Sequence, residues 1–169
     1  MPFRGIVPIL LHAQSGILVY STKAHGYTRC MDAGYRMIDH TADRAIEVFA
    51  PDLSGLIVQA ARGLIATVLD DNDLKPTGAR RVSVSAEEPE VLIHDLLTEL
   101  LYLIEDDELM PLGVALVHCD GAAVNLNVDV IALAEALPYV GGLIKAVTYH
   151  GLEIEEAGTG LRTMVVFDT

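Results

Sequence analysis

Asp39, His40 and Asp43 fall together in the stretch MIDHTADRAIEV, residues 37–48. Two carboxylates and an imidazole at that spacing are the residue types that hold a divalent cation. They are also the types that build an ordinary acidic turn, because Asp side chains bond to nearby main-chain N–H groups. Two further stretches carry ionisable groups in unusual company. One is KAVTYH, Lys145 to His150, and the other is Phe167-Asp168-Thr169 at the end of the sequence. There Asp168 and the Thr169 α-carboxylate put two negative groups on neighbouring residues. Like charges that close raise each other's pKa unless a cation neutralises them. Oxygen-only ligation suits a hard ion such as Mg²⁺, Ca²⁺ or Mn²⁺.

Each of these residues also has an ordinary use. Asp39 or Asp43 alone serves as a turn or cap residue, and His40 as a hydrogen-bonded structural histidine. Lys145 follows two glycines at a strand start, where an edge lysine is common. Asp95, Glu99 and Tyr102 recur at helical spacing and read as a solvated helix face. His94 and His118 read as structural or surface residues. Spacing alone leaves the metal and turn readings both open.

The elements that must position these groups are legible from periodicity. Ala45 to Phe49 reads as a strand. From Asp52 the pattern turns helical, with Leu53, Leu56, Ile57, Ala60, Ala61, Leu64, Ile65 and Val68 on one stripe and Asp52 as the cap. DDNDLKPTG, residues 70–78, ends that helix. Arg81 to Ala86 alternates as a half-buried strand. Glu88-Pro89 opens a second helix whose stripe is Leu92, Leu96, Leu100 and Leu103. It ends in acid at EDDE, residues 105–108, against the helix dipole. Val114 to Cys119 and Ala122 to Val128 flank Asp120-Gly121, a hairpin signal. A loop through Pro138 and Gly141-Gly142 leads to KAVTYHGLEI, and EEAGTG joins that run to LRTMVVFDT as a second hairpin. The order predicts an α+β fold, two helices packed on one face of a largely antiparallel β-sheet.

Composition narrows the function classes. The chain has 169 residues, 51% of them apolar, enough for one domain with its own core. No apolar run reaches the roughly 18 to 20 residues of a membrane-spanning helix. Lys and Arg number 11 against 24 Asp and Glu, a net charge of -13. Nucleic-acid binders carry a basic surface that displaces counterions from phosphates, so strong direct binding of RNA or DNA is not expected. Cys30 and Cys119 form neither a disulfide framework nor a CxxC zinc site. Residues 1–30 hold Arg4, Lys23 and Arg29 and no acid. They read as an N-terminal extension outside the core, with Met31 as the natural start and the domain at 31–169. A signal peptide or a loosely attached tail are the alternatives.

IDHTADRAIEVFAPDLSGLIVQAARGL, then LIHDLLTELLYLIE, then KAVTYHGLEI and the terminal VVFDT resemble the archease family in type and order, over about residues 35–169. The resemblance implies a small acidic cytoplasmic protein that is not itself an enzyme. Its partner would be the RNA-splicing ligase that joins 2′,3′-cyclic phosphate or 3′-phosphate RNA ends to 5′-hydroxyl ends in tRNA splicing and RNA repair. Such an activator promotes guanylylation of the ligase's histidine and so multiple turnover, meeting GTP and RNA only through the ligase. It implies a divalent metal (Ca, Mg or Mn) held by Asp43, Asp168 and the Thr169 carboxylate. Lys145 and His40 become functional positions, with Asp39, Glu99 and His150 in supporting roles. Two departures stand out. Arg44 and Ala45 occupy places where the family usually has Gly, so Arg44 could pair with Asp43 and compete with the metal. The last residue is Thr where the family commonly has Ile or Val. The rival classes are a stand-alone metal-dependent phosphohydrolase and a scaffold with no metal role. No phosphate-cradling glycine loop favours the first.

Overall fold

A computed structural model describes residues 32–39, 44–70 and 73–169, together with the backbone but not the side chain of Asp39. The extension 1–30, Cys30, His40 and Asp43 lie outside the described residues.

Strand β1 (Gly34–Asp39) and strand β2 (Arg44–Ala50) form a hairpin in register from Gly34 opposite Phe49 to Asp39 opposite Arg44. Helix α1 (Leu53–Val68) follows, then β3 (Gly78–Ser85), helix α2 (Pro89–Glu105), β4 (Leu109–Cys119) and β5 (Ala123–Ala132). A single turn of helix, α3 (Leu133–Ala136), runs into a 3₁₀ turn at Leu137–Tyr139. Three strands close the fold: β6 (Ala146–Thr148), β7 (Glu155–Ala157) and β8 (Gly160–Asp168).

The antiparallel strands divide into two sheets. One has the order β1-β2-β8-β6, with β7 also paired to β8; the other is β3-β5-β4. Helix α1 packs on β1, β2 and β8 of the first and on β4 of the second. Helix α2 packs on β3, β4 and β5 and reaches β6. The core lies where these layers meet. Leu56, Ile57, Leu64, Leu92, Leu96, Leu100, Ile46, Leu126 and Phe167 are fully buried there. The helical stripes read from periodicity are therefore the buried faces, since a 3.6-residue repeat gathers these side chains on one side.

Local chemistry fixes the ends of these elements. The Asp52 carboxylate accepts the Gly55 N–H at 2.8 Å, capping α1. Pro89 occupies the first turn of α2. Asp120 Oδ1 accepts the N–H groups of Ala122 and Ala123 at 3.0 and 2.8 Å and so builds the β4–β5 turn, with Gly121 at φ +92°.

The expected run KAVTYHGLEI is not one strand. Only Ala146–Thr148 of it is strand, as β6; a turn through Gly151 (φ +73°) follows, and β7 begins at Glu155, inside the EEAGTG stretch expected as the hairpin turn, so that β6 and β7 lie along the same edge of β8. Strand β1 has no counterpart in the expected order. It is an edge strand, and Arg36 and Met37 are exposed, so it carries little apolar alternation.

Candidate functional site

The register collects the candidate stretches at one end of the first sheet. Asp39 stands opposite Arg44, Arg44 opposite Phe167, and Phe167 opposite Val147. This row crosses four strands that are distant in sequence. The end of β8 is clamped from its other side by Lys145. The Lys145 main-chain N–H donates to Asp168 O at 2.8 Å, and its Nζ donates to the Thr169 main-chain oxygen at 2.8 Å. Lys145 is exposed, so the ordinary reading as an edge lysine is half right. It does stand at the sheet edge, but its ammonium is committed to the end of β8.

The Asp168 side chain is exposed, and no hydrogen bond or ion pair reaches its carboxylate among the described residues. That is the condition a hard-cation ligand needs: an oxygen donor held by its backbone and not already taken. The Thr169 oxygen differs, since it already receives the Lys145 ammonium. Among the described residues, no group of three or more His, Cys, Asp or Glu side chains stands as a ready ligand set. Of the expected ligands, Asp168 and Thr169 are among the described residues, and Asp43, which precedes Arg44 in the chain, is not.

Arg44 has a definite job. Its guanidinium donates to Thr67 O at 2.5 Å and to Gly141 O at 3.2 Å. Helix α1 has no basic residue in its own last turn. Arg44 supplies positive charge to a carbonyl there, where the helix carries partial negative charge. A Cβ on Gly142 would collide with this guanidinium, so the glycine makes room for it. Arg44 therefore ties the start of β2 to the end of α1 and to the loop that leads into Lys145. A role as competitor for the metal is not needed to explain it.

The KAVTYH segment is anchored from α2. His94 Nε2 lies 3.2 Å from Val147 O. His94 Nδ1 faces Asp95 Oδ1 at 3.0 Å. The imidazole stacks on Tyr149, with centroids 3.8 Å apart and planes 13° from parallel. Desolvation, with the Asp95 and Glu88 carboxylates adding to it, pushes the Tyr149 phenol above its ordinary pKa. It remains a neutral hydroxyl at physiological pH. His94 thus proves structural, as the sequence suggests, but the stack on Tyr149 has no signature in spacing.

Other candidates stay apart. Glu99 is exposed on α2 and His150 is exposed after β6. No hydrogen bond or ion pair joins either to Lys145 or Asp168 among the described residues. Asp95 and Tyr102 are partly exposed on α2, in keeping with a solvated face. His118 is exposed and, among the described residues, pairs only with Asp120, at 3.3 Å. One feature beside the site was not legible at all. A cavity of about 350 Å³ opens next to Lys145, between the end of α2 and the segment Leu143–Ile144.

No described helix is long and apolar enough to cross a membrane. The Archease protein family matches residues 35–169. A Mycobacterium tuberculosis protein named "Probable protein archease" is 31% identical over 150 residues, covering 83% of this chain and 81% of its own. The protein archease of Methanosarcina barkeri is 30% identical over 139 residues, covering 79% and 94%. In three dimensions, the crystal structure of a Thermotoga maritima archease, described as a possible chaperone, is similar with a TM-score of 0.55 at 26% identity. That likeness covers 86% of this chain and all of the other. The solution structure of Methanobacterium thermoautotrophicum protein 1598 shares the fold with a TM-score of 0.59 at 23% identity, over 80% and 99% of the two chains. An α+β fold of antiparallel sheets and two packed helices, matched by a family model from β1 to the last residue, makes this chain a member of the archease family.

Proposed function

We propose that this chain is a metal-binding activator of an RNA-splicing ligase rather than an enzyme in its own right. The observation that carries the reading is the convergence of Lys145 on Asp168 and Thr169, beside the strand that Arg44 begins. Asp43 precedes Arg44 in the sequence, and Asp168 follows Phe167, the residue paired with Arg44. Asp43, Asp168 and Thr169 would hold the cation, which would supply charge neutralisation at the partner's nucleotide pocket. Lys145 adds a positive group, and its bond to the Thr169 oxygen keeps that oxygen in place. Presenting charge in a fixed position needs no nucleophile or general base from this chain; alignment of reacting groups alone contributes several kcal/mol. The net charge of -13 suits a basic, RNA-binding protein as partner better than RNA itself.

The test is a ligation assay with limiting ligase and excess RNA ends. Wild type should turn a single turnover into many. Asp43→Ala, Asp168→Ala and Lys145→Ala should each lower that stimulation about tenfold or more, a change of about 1.4 kcal/mol, with unchanged thermal melts. Equal stimulation by all three would leave only a scaffold. Phosphate or nucleotide hydrolysis by the purified chain alone, lost in Asp168→Ala, would favour the phosphohydrolase instead.

A further inference from the structure

The cavity beside Lys145 is set apart from the cation ligands by its chemistry. Its walls are Val68, Leu101, Ile104, Leu133, Leu143 and Ile144, and its rim carries Glu105, Glu108 and Lys145. Leu143 is 62% exposed, an apolar side chain presented at the lip of an apolar groove. The walls are held rather than collapsed. Glu108 sits in the left-handed region at φ +53°, which sharply turns the chain between α2 and β4, and its carbonyl accepts the Leu133 N–H at 2.8 Å. That bond ties the turn after α2 to the start of α3, both of which line the groove.

The rim is acidic on the side of α2, where Glu105 and Glu108 line it and Asp106 and Asp107 adjoin them; Lys145, on the rim too, bonds the Thr169 oxygen. Glu105, Asp106, Asp107 and Glu108 are all exposed, and the last turn of α2 has no basic residue. Acids at a helix C-terminus oppose the dipole, so in the isolated chain this arrangement is unfavourable. A cationic occupant removes the penalty. Phosphate-bearing polymers are repelled by the same rim.

We propose that this groove docks a basic apolar segment of a protein partner, one aliphatic or aromatic side chain entering the cavity and flanking Arg or Lys residues meeting Glu105 to Glu108. The inference rests on the activator reading only for naming the ligase as that partner. Apolar burial supplies the anchor and charge complementarity the orientation.

The test measures binding of the full chain to purified ligase, and in parallel to twelve-residue synthetic peptides bearing a central Leu or Phe flanked by Arg, or by Glu as control. Leu143→Asp should weaken ligase binding about tenfold or more, the scale of a lost anchor. Glu105→Lys should weaken it as well while melting no lower than wild type, because it relieves the helix end. Ligase binding unaffected by Leu143→Asp and Glu105→Lys overturns the groove and spares the activator reading. If wild type does not bind the ligase, the activator reading fails and the peptides decide the groove: preference for the Arg series, lost in Leu143→Asp, upholds it. Equal or absent binding of the Arg and Glu series then overturns it.

Discussion

Asp120 accepts two main-chain N–H groups in the β4–β5 turn and lies 3.3 Å from His118. The Ala122 N–H lowers its pKa most, then that of Ala123, then the histidine. A carboxyl whose folded pKa is depressed stabilises the fold above its unfolded value of about 3.9, and that contribution fades as pH falls through the folded value. Asp120→Asn keeps an acceptor oxygen but not the charge. The stability difference between wild type and Asp120→Asn should therefore shrink as pH falls from about 5 to below about 4. Thermal melts across that range test it, and a difference that grows in acid would sink the assignment. At this scale some residues are legible from sequence and others are not. Asp52 and Asp120 act through neighbours two or three positions away, so their roles follow from local spacing. Lys145 acts on Thr169, Arg44 on Thr67 and Gly141, and His94 on Val147 and Tyr149. Those partners are set by strand order, which no local pattern encodes; the family resemblance marks Lys145 as a functional position but does not name its partner.

Among the elements, β8 organises the first sheet, with β2 along one edge and β6 and β7 along the other. Its first residue, Gly160, lies so near β2 that a Cβ would meet the Ala50 main-chain oxygen and the Pro51 Cα. Backbone atoms cannot move aside as a flexible side chain does. Gly160→Ala should cost about 2 to 3 kcal/mol, the upper part of the range for overpacking. Gly78→Ala is the control, since its Cβ would meet only Val130 Cγ2 at 3.6 Å, an ordinary contact. That change should stay within about 0.5 kcal/mol. Urea midpoints at unchanged slope measure both; equal effects would refute the close approach. The helices were readable because apolar residues recur at helical spacing along the whole of one element. Strand β1 was not, because an edge strand with exposed Arg36 and Met37 has little alternation to detect. The early end of β6 within KAVTYHGLEI is followed by a turn at Gly151, whose positive φ is invisible until the chain is folded.

For the whole molecule, charge sets two responses to salt that run in opposite directions. With 24 acids against 11 basic residues, self-repulsion opposes the compact state. The ion pairs found among the described Arg and acidic side chains, Arg36–Glu47, Arg162–Glu47 and Arg162–Glu155, are largely solvent-exposed on the arginine side and contribute little. Screening should then help the fold more than it harms these pairs. Raising NaCl from 10 to 200 mM shortens the Debye length from about 30 Å to below 10 Å, and the melting temperature should rise. The same screening weakens attraction to a basic partner, so the association rate with the ligase should fall about tenfold or more over that range while dissociation changes little. Stopped-flow mixing at several salt concentrations separates the two rates. A melting temperature that falls with salt would mean that surface pairs outweigh repulsion. An association rate indifferent to salt would mean that the acidic surface serves only solubility, and the electrostatic part of the activator reading would have to be abandoned.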